Sequence, residues 1–330
     1  MATSRREKDS GLRRIRAVPP LPRRAADAHK GDFGRILVLA GSVGMAGAPS
    51  LAGLAALRGG AGLVIIAVPE SIQATVSALC PCATTIGLPE TNTGQIDPKR
   101  AKRVFARRGM LAAGGQGASP DVLVTGPGVG QGPPAYASAF WELIDAFRGG
   151  PKTPCVADAD ALNLASRAMR GTPGAWTARP HFRTIITPHP GEMARLHGAS
   201  TGQVQADREG IAVRTARAMT GREGDSNDLP VVVLKGAGTI VTDGQRIYVN
   251  RTGNPGMATG GSGDVLSGLI GALLGQGMST FDAAVAGVYL HGLAGDLAAK
   301  KLGEVSLIAT DIIETLPEAF LRHAEKRRSL

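Results

Sequence analysis

Aromatic side chains are scarce: Phe, Trp and Tyr make up 4% of the 330 residues. That leaves little for stacking nucleic-acid bases, and no recognisable nucleic-acid-binding motif compensates, so no nucleic-acid partner is expected. Cysteine is nearly absent as well. Cys80, Cys82 and Cys155 are odd in number and lack zinc-ligand spacing, which argues against a disulfide framework and for a reducing cytoplasm. The longest apolar runs, such as Leu63 to Pro69, fall far short of the ~20 residues a membrane helix needs. The basic amino terminus is not followed by an apolar stretch, so no secretory signal is readable. There is no Gly-Lys dipeptide, which excludes a P-loop, and Gly126, Gly128 and Gly130 are spaced too closely for a dinucleotide fingerprint.

What the chain does contain is glycine, 46 residues or about twice the usual ~7%. No Gly-X-Y period accompanies it. The glycines punctuate runs of Val, Ile, Leu and Ala, as turns that bring backbone close to a partner would. Net charge is +10, and residues 1–24 carry eight Lys/Arg against Glu7 and Asp9, so +6 resides there. With Pro19, Pro20 and Pro22 closing it, residues 1–27 are expected to form a disordered basic leader, and 28–330 a single domain. The basic cluster Lys99 to Arg108 reads as the solvated face of an outer helix.

Short apolar runs alternate with Ala/Leu-rich segments from residue 35 onward. Strands are expected at Ile36–Ala40, Leu63–Val68, Val122–Thr125, Cys155–Ala157, Thr184–Thr187, Val231–Leu234, Thr239–Thr242 and Ile247–Val249. Helices are expected at about 46–58, 71–79, 97–108, 134–147, 160–168, 191–197, 203–220, 264–275, 280–300 and 310–323. Most strand runs are continuously apolar, as strands covered on both faces require. The alternation predicts an α/β protein with a doubly wound, mainly parallel central sheet and helices on both faces. A hairpin through Asp243-Gly244 adds an antiparallel element.

In such sheets, function collects at the carboxyl ends of the strands. The sharpest feature is Gly260-Gly261-Ser262-Gly263-Asp264, which opens an apolar helix. Unpaired N–H groups and the helix dipole would make Gly261, Ser262 and Gly263 an anion hole, with Asp264 either a cap or a general base beside it. Lys235-Gly236-Ala237-Gly238-Thr239 follows a strong strand. Its lysine can meet nucleotide phosphates, unless the segment is an ordinary turn with an exposed lysine. His189 and Glu192 read either as a loop and helix-cap pair, or as a substrate contact and a magnesium support. Asp158 and Asp160 read as caps of the following helix, with a place in a magnesium water shell as the alternative. His29 and His291 read as structural.

Several segments, in order, resemble the ADP/ATP-dependent (S)-NAD(P)H-hydrate dehydratases. They are His29-Lys30-Gly31-Asp32-Phe33-Gly34, Leu39-Ala40-Gly41-Ser42, Met45-Ala46-Gly47-Ala48, Gly126 to Gly130, Asp158 to Asn163, Thr187 to Glu192, Lys235-Gly236 with Thr239, and Gly253 to Asp264. The resemblance implies a ribokinase-like fold and repair of hydrated NADH and NADPH (NADHX and NADPHX). ADP is the preferred phosphate donor and ATP the alternative, with Mg2+ as cofactor. It implies Asp264 as base and substrate contact, Gly263 and its neighbours as the anion hole, and Lys235, Gly236, Ala237, Gly238, Thr239 and Gly263 as the nucleotide site. Ala48, Gly128 and His189 would touch the hydrated dinucleotide, and Glu192 would support magnesium. A cytoplasmic homo-oligomer is implied, a tetramer being one form. Many relatives carry an epimerase domain for which 330 residues leave no room, so the epimerase is expected on a separate chain. The alternative is a ribokinase-like kinase acting on a vitamin-precursor alcohol, which would use the same glycines and Asp264.

Overall fold

Val, Ile and Leu runs with every side chain buried form the middle of one ten-stranded sheet. The computed structural model describes residues 11–111, 119–148, 153–168, 183–220 and 228–328. In chain order the elements are β1 (Arg13–Ile15), β2 (Arg35–Leu39), α1 (Gly47–Arg58), β3 (Leu63–Pro69), α2 (Gln73–Leu79), β4 (Thr84–Leu88), α3 (Pro98–Arg107), β5 (Val122–Thr125) and α4 (Pro134–Arg148). Then come β6 (Cys155–Ala157), α5 (Ala159–Ala168), β7 (Thr184–Ile186), α6 (Pro190–His197), α7 (Thr201–Ala206) and α8 (Arg208–Thr220). The chain continues with β8 (Val231–Leu234), β9 (Ile240–Thr242), β10 (Arg246–Val249), α9 (Ser262–Gly275), α10 (Thr280–Leu302) and α11 (Ala309–Arg328).

The strand order is β1-β10-β9-β8-β7-β6-β5-β2-β3-β4. Pairing is parallel except at β8–β9 and β9–β10, so the expected hairpin is present. Side chains alternate between two cores: Ile36 and Val38 face α1, α9, α10 and α11, whereas Leu37 and Leu39 face α3, α4, α5 and α8. This is the doubly wound sheet with helices on both faces that the alternation predicts. The order in which strands join the sheet reverses between β2 and β5, and the loops after those two parallel strands meet there: Gly41 N–H donates to the Pro127 carbonyl at 2.8 Å. A crevice at the carboxyl ends of the strands follows from that reversal.

Three features differ from expectation. Residues 13–15 are not a disordered leader but an edge strand, parallel to β10 with Ile15 opposite Tyr248. Three residues reading Arg-Arg-Ile carry no apolar pattern; pairing with β10, the Arg14–Glu209 ion pair and Ile15 against the core hold them, and residues 1–10 lie outside the described residues. Strand β4 was hidden by Gly87, where a Cβ would press on the Gln73 side chain. The single helix expected over 203–220 is two, because Asp207 caps the second one: its Oδ1 accepts from Gly210 N–H at 3.1 Å.

Glycine also sets how closely α9 approaches α1. A Cβ at Gly268 would collide with the Ala52 carbonyl, a backbone atom that cannot rotate away. Gly268→Ala is therefore expected to lower stability by about 1–3 kcal/mol, the usual range for overpacking a tight core. Urea denaturation checks this, and an unchanged midpoint would contradict the close approach.

Candidate functional site

Glycine at the start of α9 leaves that terminus open. Gly261 is the N-cap, at φ +89° where L-residues are strained, and no side chain caps the helix. Its first N–H groups are therefore directed at whatever lies beyond the terminus. His291, buried in α10, bonds the Ser262 carbonyl at 2.9 Å and fixes this turn from behind. Burial pushes His291 down to about 4, so it sits there as neutral imidazole, the structural role expected of it.

Lys235, just after β8, reaches this terminus. Its Nζ lies 2.7 Å from Asp158 Oδ1 and 3.9 Å from Glu192 Oε2. A Cβ placed on Gly263 would stand 3.2 Å from the same Nζ, so the ammonium lies directly against the helix start. Burial works against the lysine's charge, but Asp158, Glu192 and Asp264 outweigh it, and the ammonium is held above its usual range. The rest of the segment, Gly236 to Thr239, forms a turn in which Thr239 Oγ1 donates to the Gly236 carbonyl at 2.9 Å. Arg208, which carries no local sequence signal, supports that turn by donating to the Leu234 and Lys235 carbonyls at 3.2 Å each.

Asp158 occupies the position before α5, yet its carboxylate does not cap the helix. Oδ1 binds Lys235 and Oδ2 accepts from Ser267 Oγ of α9 at 3.2 Å, with the residue only 1% exposed. Two backbone specialisations place it. Ala159 takes φ +47°, a strained conformation for a residue with a Cβ, and Gly126 lacks the Cβ that would strike the Asp158 carbonyl. The expected cap role is therefore corrected: Asp158 ties β6, β8 and α9 together. Its neighbour Asp160 ties the first turn of α5 to the Gly126–Gly130 loop instead, accepting from Gly130 N–H at 2.9 Å and, within the helix, from Asn163 Nδ2 at 3.2 Å.

Asp264, in the first turn of α9, faces this acidic group. Burial raises its carboxyl first, Asp158 adds to it, Lys235 opposes, and Asp160 and Glu192 contribute further, bringing it up to about 7. A carboxyl poised there accepts a proton near neutral pH.

His189 and Glu192 form a capping box at the start of α6. His189 N–H donates to Glu192 Oε2 at 2.8 Å, and Gly191 N–H donates to His189 Nδ1 at 3.0 Å. Glu192 Oε1 also lies 3.3 Å from His189 Nε2. Burial, Lys235 and Arg195 push His189 down, while burial pushes Glu192 up. Ala48 and Gly128 belong to a second wall, at the β2–β5 reversal. A Cβ on Gly128 would lie 3.1 Å from Ala48 Cβ, and Ser42 Oγ donates to the Gly128 carbonyl at 2.8 Å. Exposed Val43 and Met45 stand at its lip. The site is thus two walls. One is charged, built from Asp158, Glu192, Lys235, Gly263 and Asp264; the other is small and apolar, joined to it through Gly126.

The NAD(P)H-hydrate dehydratase family matches residues 36–318. A bifunctional NAD(P)H-hydrate repair enzyme of Moorella thermoacetica is 41% identical over 93% of this chain and 52% of its own length. The chain accordingly spans about half the length of the curated relatives of that kind it matches. An ADP-dependent (S)-NAD(P)H-hydrate dehydratase of Neisseria meningitidis is 39% identical, covering 88% of this chain and 86% of that protein. The crystal structure of the ADP/ATP-dependent NAD(P)H-hydrate dehydratase from Bacillus subtilis, co-crystallised with ATP and Mg2+, is 29% identical, with a TM-score of 0.71 over 92% of this chain and 94% of that one. Solved chains of the ribokinase-like superfamily share the architecture. The chain belongs to the NAD(P)H-hydrate dehydratase family and has the ribokinase-like fold.

Proposed function

We propose that the chain converts the S-epimer of NADH or NADPH hydrate and ADP to the reduced dinucleotide, AMP and phosphate. The observation that carries this reading is Asp264, a carboxyl raised to about 7, beside an uncapped helix amino terminus and the Lys235 ammonium. A hydroxyl is a poor leaving group, and phosphorylation turns it into a good one. Asp264 takes the proton from the ring hydroxyl as that oxygen attacks the terminal phosphorus of ADP, and AMP leaves. The α9 N–H groups and Lys235 meet the charge on the transferred phosphoryl. The ring nitrogen lone pair then expels phosphate, and loss of a ring proton restores the double bond.

In this reading Gly236, Ala237, Gly238 and Thr239 receive the nucleotide, with Gly261, Ser262 and Gly263 at its phosphates. Ala48, Gly128 and neutral His189 border the hydrated ring. Magnesium is a different matter. Among the described residues no three His, Cys, Asp or Glu side chains cluster as metal ligands. The oxygens of Glu192 and Asp158 are already engaged by His189, Lys235 and Ser267. The residues present form no dedicated cage, and Mg2+ needs none: it is held by one or two carboxylates with nucleotide phosphates and waters. Glu192 would support it there and it would supply charge neutralisation, while the chemistry above rests on Asp264, Lys235 and the helix terminus. R-epimers enter this reaction only after epimerisation. A cytoplasmic homo-oligomer belongs to the same reading; no helix among the described residues is long and apolar enough to cross a membrane.

Purified chain supplied with S-hydrate, ADP and a magnesium salt is expected to restore the absorbance of reduced nicotinamide and release AMP in equal amount. Running ATP in parallel compares the donors. Silence with both nucleotides overturns the reading, and a stable phosphorylated hydrate would mark a kinase.

A further inference from the structure

Beyond the carboxyl ends of β1 and β10 lies a cavity of about 860 Å3 that shares no residue with the site above. That is within the ~300–1,000 Å3 typical of small-molecule pockets. Its lining includes Arg14, Arg16 and Arg251 and no Asp or Glu. Arg14 is already committed to Glu209 of α8, at 3.2 and 2.7 Å. Arg16 and Arg251 have no acidic partner among the described residues. Two uncompensated guanidiniums beside one cavity favour an anion, and their fork geometry suits phosphate.

The cavity also offers rings, in a chain that has few. Tyr289 lines it with part of its ring exposed, while Tyr248 and His323, 5% and 4% exposed, are buried in its wall. Tyr289 and His323 meet edge to face with centroids 5.5 Å apart, and His323 Nε2 donates to the Pro19 carbonyl at 3.3 Å. Tyr248 donates its hydroxyl to Asn250 Oδ1 at 3.2 Å. A bare phosphate would leave these rings unused, whereas an apolar ligand would leave the two arginines without counter-charge. A planar base joined to phosphates satisfies both.

We propose that this cavity is a second nucleotide site, separate from the reaction site. Phosphates of a nucleoside phosphate meet Arg16 and Arg251, and its base packs against the partly exposed ring of Tyr289, which buried Tyr248 and His323 back. The cavity abuts the Gly236–Thr239 turn. Asn250 N–H donates to the Thr239 carbonyl at 2.9 Å, and Val249, which lines the cavity, lies 3.7 Å from a Cβ built on Gly238.

Calorimetric titration of the full chain with ADP, without hydrate, tests this. The double variant Arg16→Glu/Arg251→Glu is expected to bind one fewer ADP per chain than the unaltered protein. Its turnover of S-hydrate should stay within about twofold and its ligand-free melting temperature should not change. Ribose 5-phosphate, which lacks the base, is expected to compete at this site at least about tenfold more weakly than AMP. Equal ADP counts in both proteins overturn the proposal, as does equal competition by ribose 5-phosphate. Joint loss of ADP binding and turnover also overturns it, because the cavity would then belong to the reaction site. Since the readout is a difference in stoichiometry, failure of the proposed dehydration would not alter it.

Discussion

Asp264→Asn is expected to abolish most turnover while making the protein harder to unfold. The substitution keeps the shape and removes the proton acceptor, and a lost general base typically costs about 10²–10⁴-fold in rate. In the unaltered protein the rate should climb as pH rises through about 7, where Asp264 loses its proton. The stability effect follows from the same carboxyl. Its folded pKa, about 7, lies above the ordinary aspartate value of 3.8, so the native state binds this proton more tightly than the unfolded chain does. Ionisation therefore costs stability progressively from about pH 4 upward, and the full cost is present above pH 7. A rise of that size corresponds to about 4 kcal/mol as an upper bound, and partial exposure reduces it. Calorimetry should show Asp264→Asn melting higher than the parent at pH 8, with the gain vanishing near pH 4. Comparable turnover would remove Asp264 from the base role; a lower melting temperature at pH 8 would mean that burying its charge carries no cost.

Asp158→Asn should act in the opposite sense on stability and shift the pH profile. It breaks a 2.7 Å ion pair whose acid is 1% exposed and whose lysine side chain is 19% exposed. Breaking a buried pair costs up to about 3–5 kcal/mol, and less is expected here because Glu192 at 3.9 Å and Asp264 still face the ammonium. Removing Asp158 also removes a negative charge that raises Asp264 and frees Lys235 to lower it, so both changes carry Asp264 below about 7. The acid limb of the rate profile should move to lower pH, with kcat reduced. Ser267→Ala, which spares the ion pair and deletes the 3.2 Å hydrogen bond to the other oxygen, is the control. It should cost about 1 kcal/mol and leave the acid limb in place. An unmoved acid limb in Asp158→Asn would make that residue purely structural.

What the sequence reveals on its own follows a physical pattern. β2, β3, β5 and β8 lie inside the sheet with helices on both faces, so their Val, Ile and Leu runs announce them. β4 and β1 are the two outermost strands, where a glycine or two arginines suffice and hydrophobic pattern is weak. The α9 terminus was legible because clustered glycines before an apolar helix leave its first N–H groups bare, and bare N–H groups attract an anion. Asp158 was not. Aspartate just before a helix normally caps it, and the competing partner, Lys235, is 77 residues away in sequence. Arg208 lies in an arginine-bearing helix where nothing local separates it from its solvated neighbours. His189 and Glu192 carried both readings at once, and the capping geometry is the one the fold displays.

The short strand at Arg13–Ile15 has a consequence for colloidal behaviour. Without it, β10 would end the sheet, and Arg246 to Val249 would present a row of open backbone groups beside Ile247 and Tyr248, a template for pairing with another copy of the chain. With it, the outermost strand is three residues long and two of them are arginines, a length and charge that discourage further addition. A segment whose composition suggests an idle basic tail thus serves as a gatekeeper against edge-to-edge aggregation.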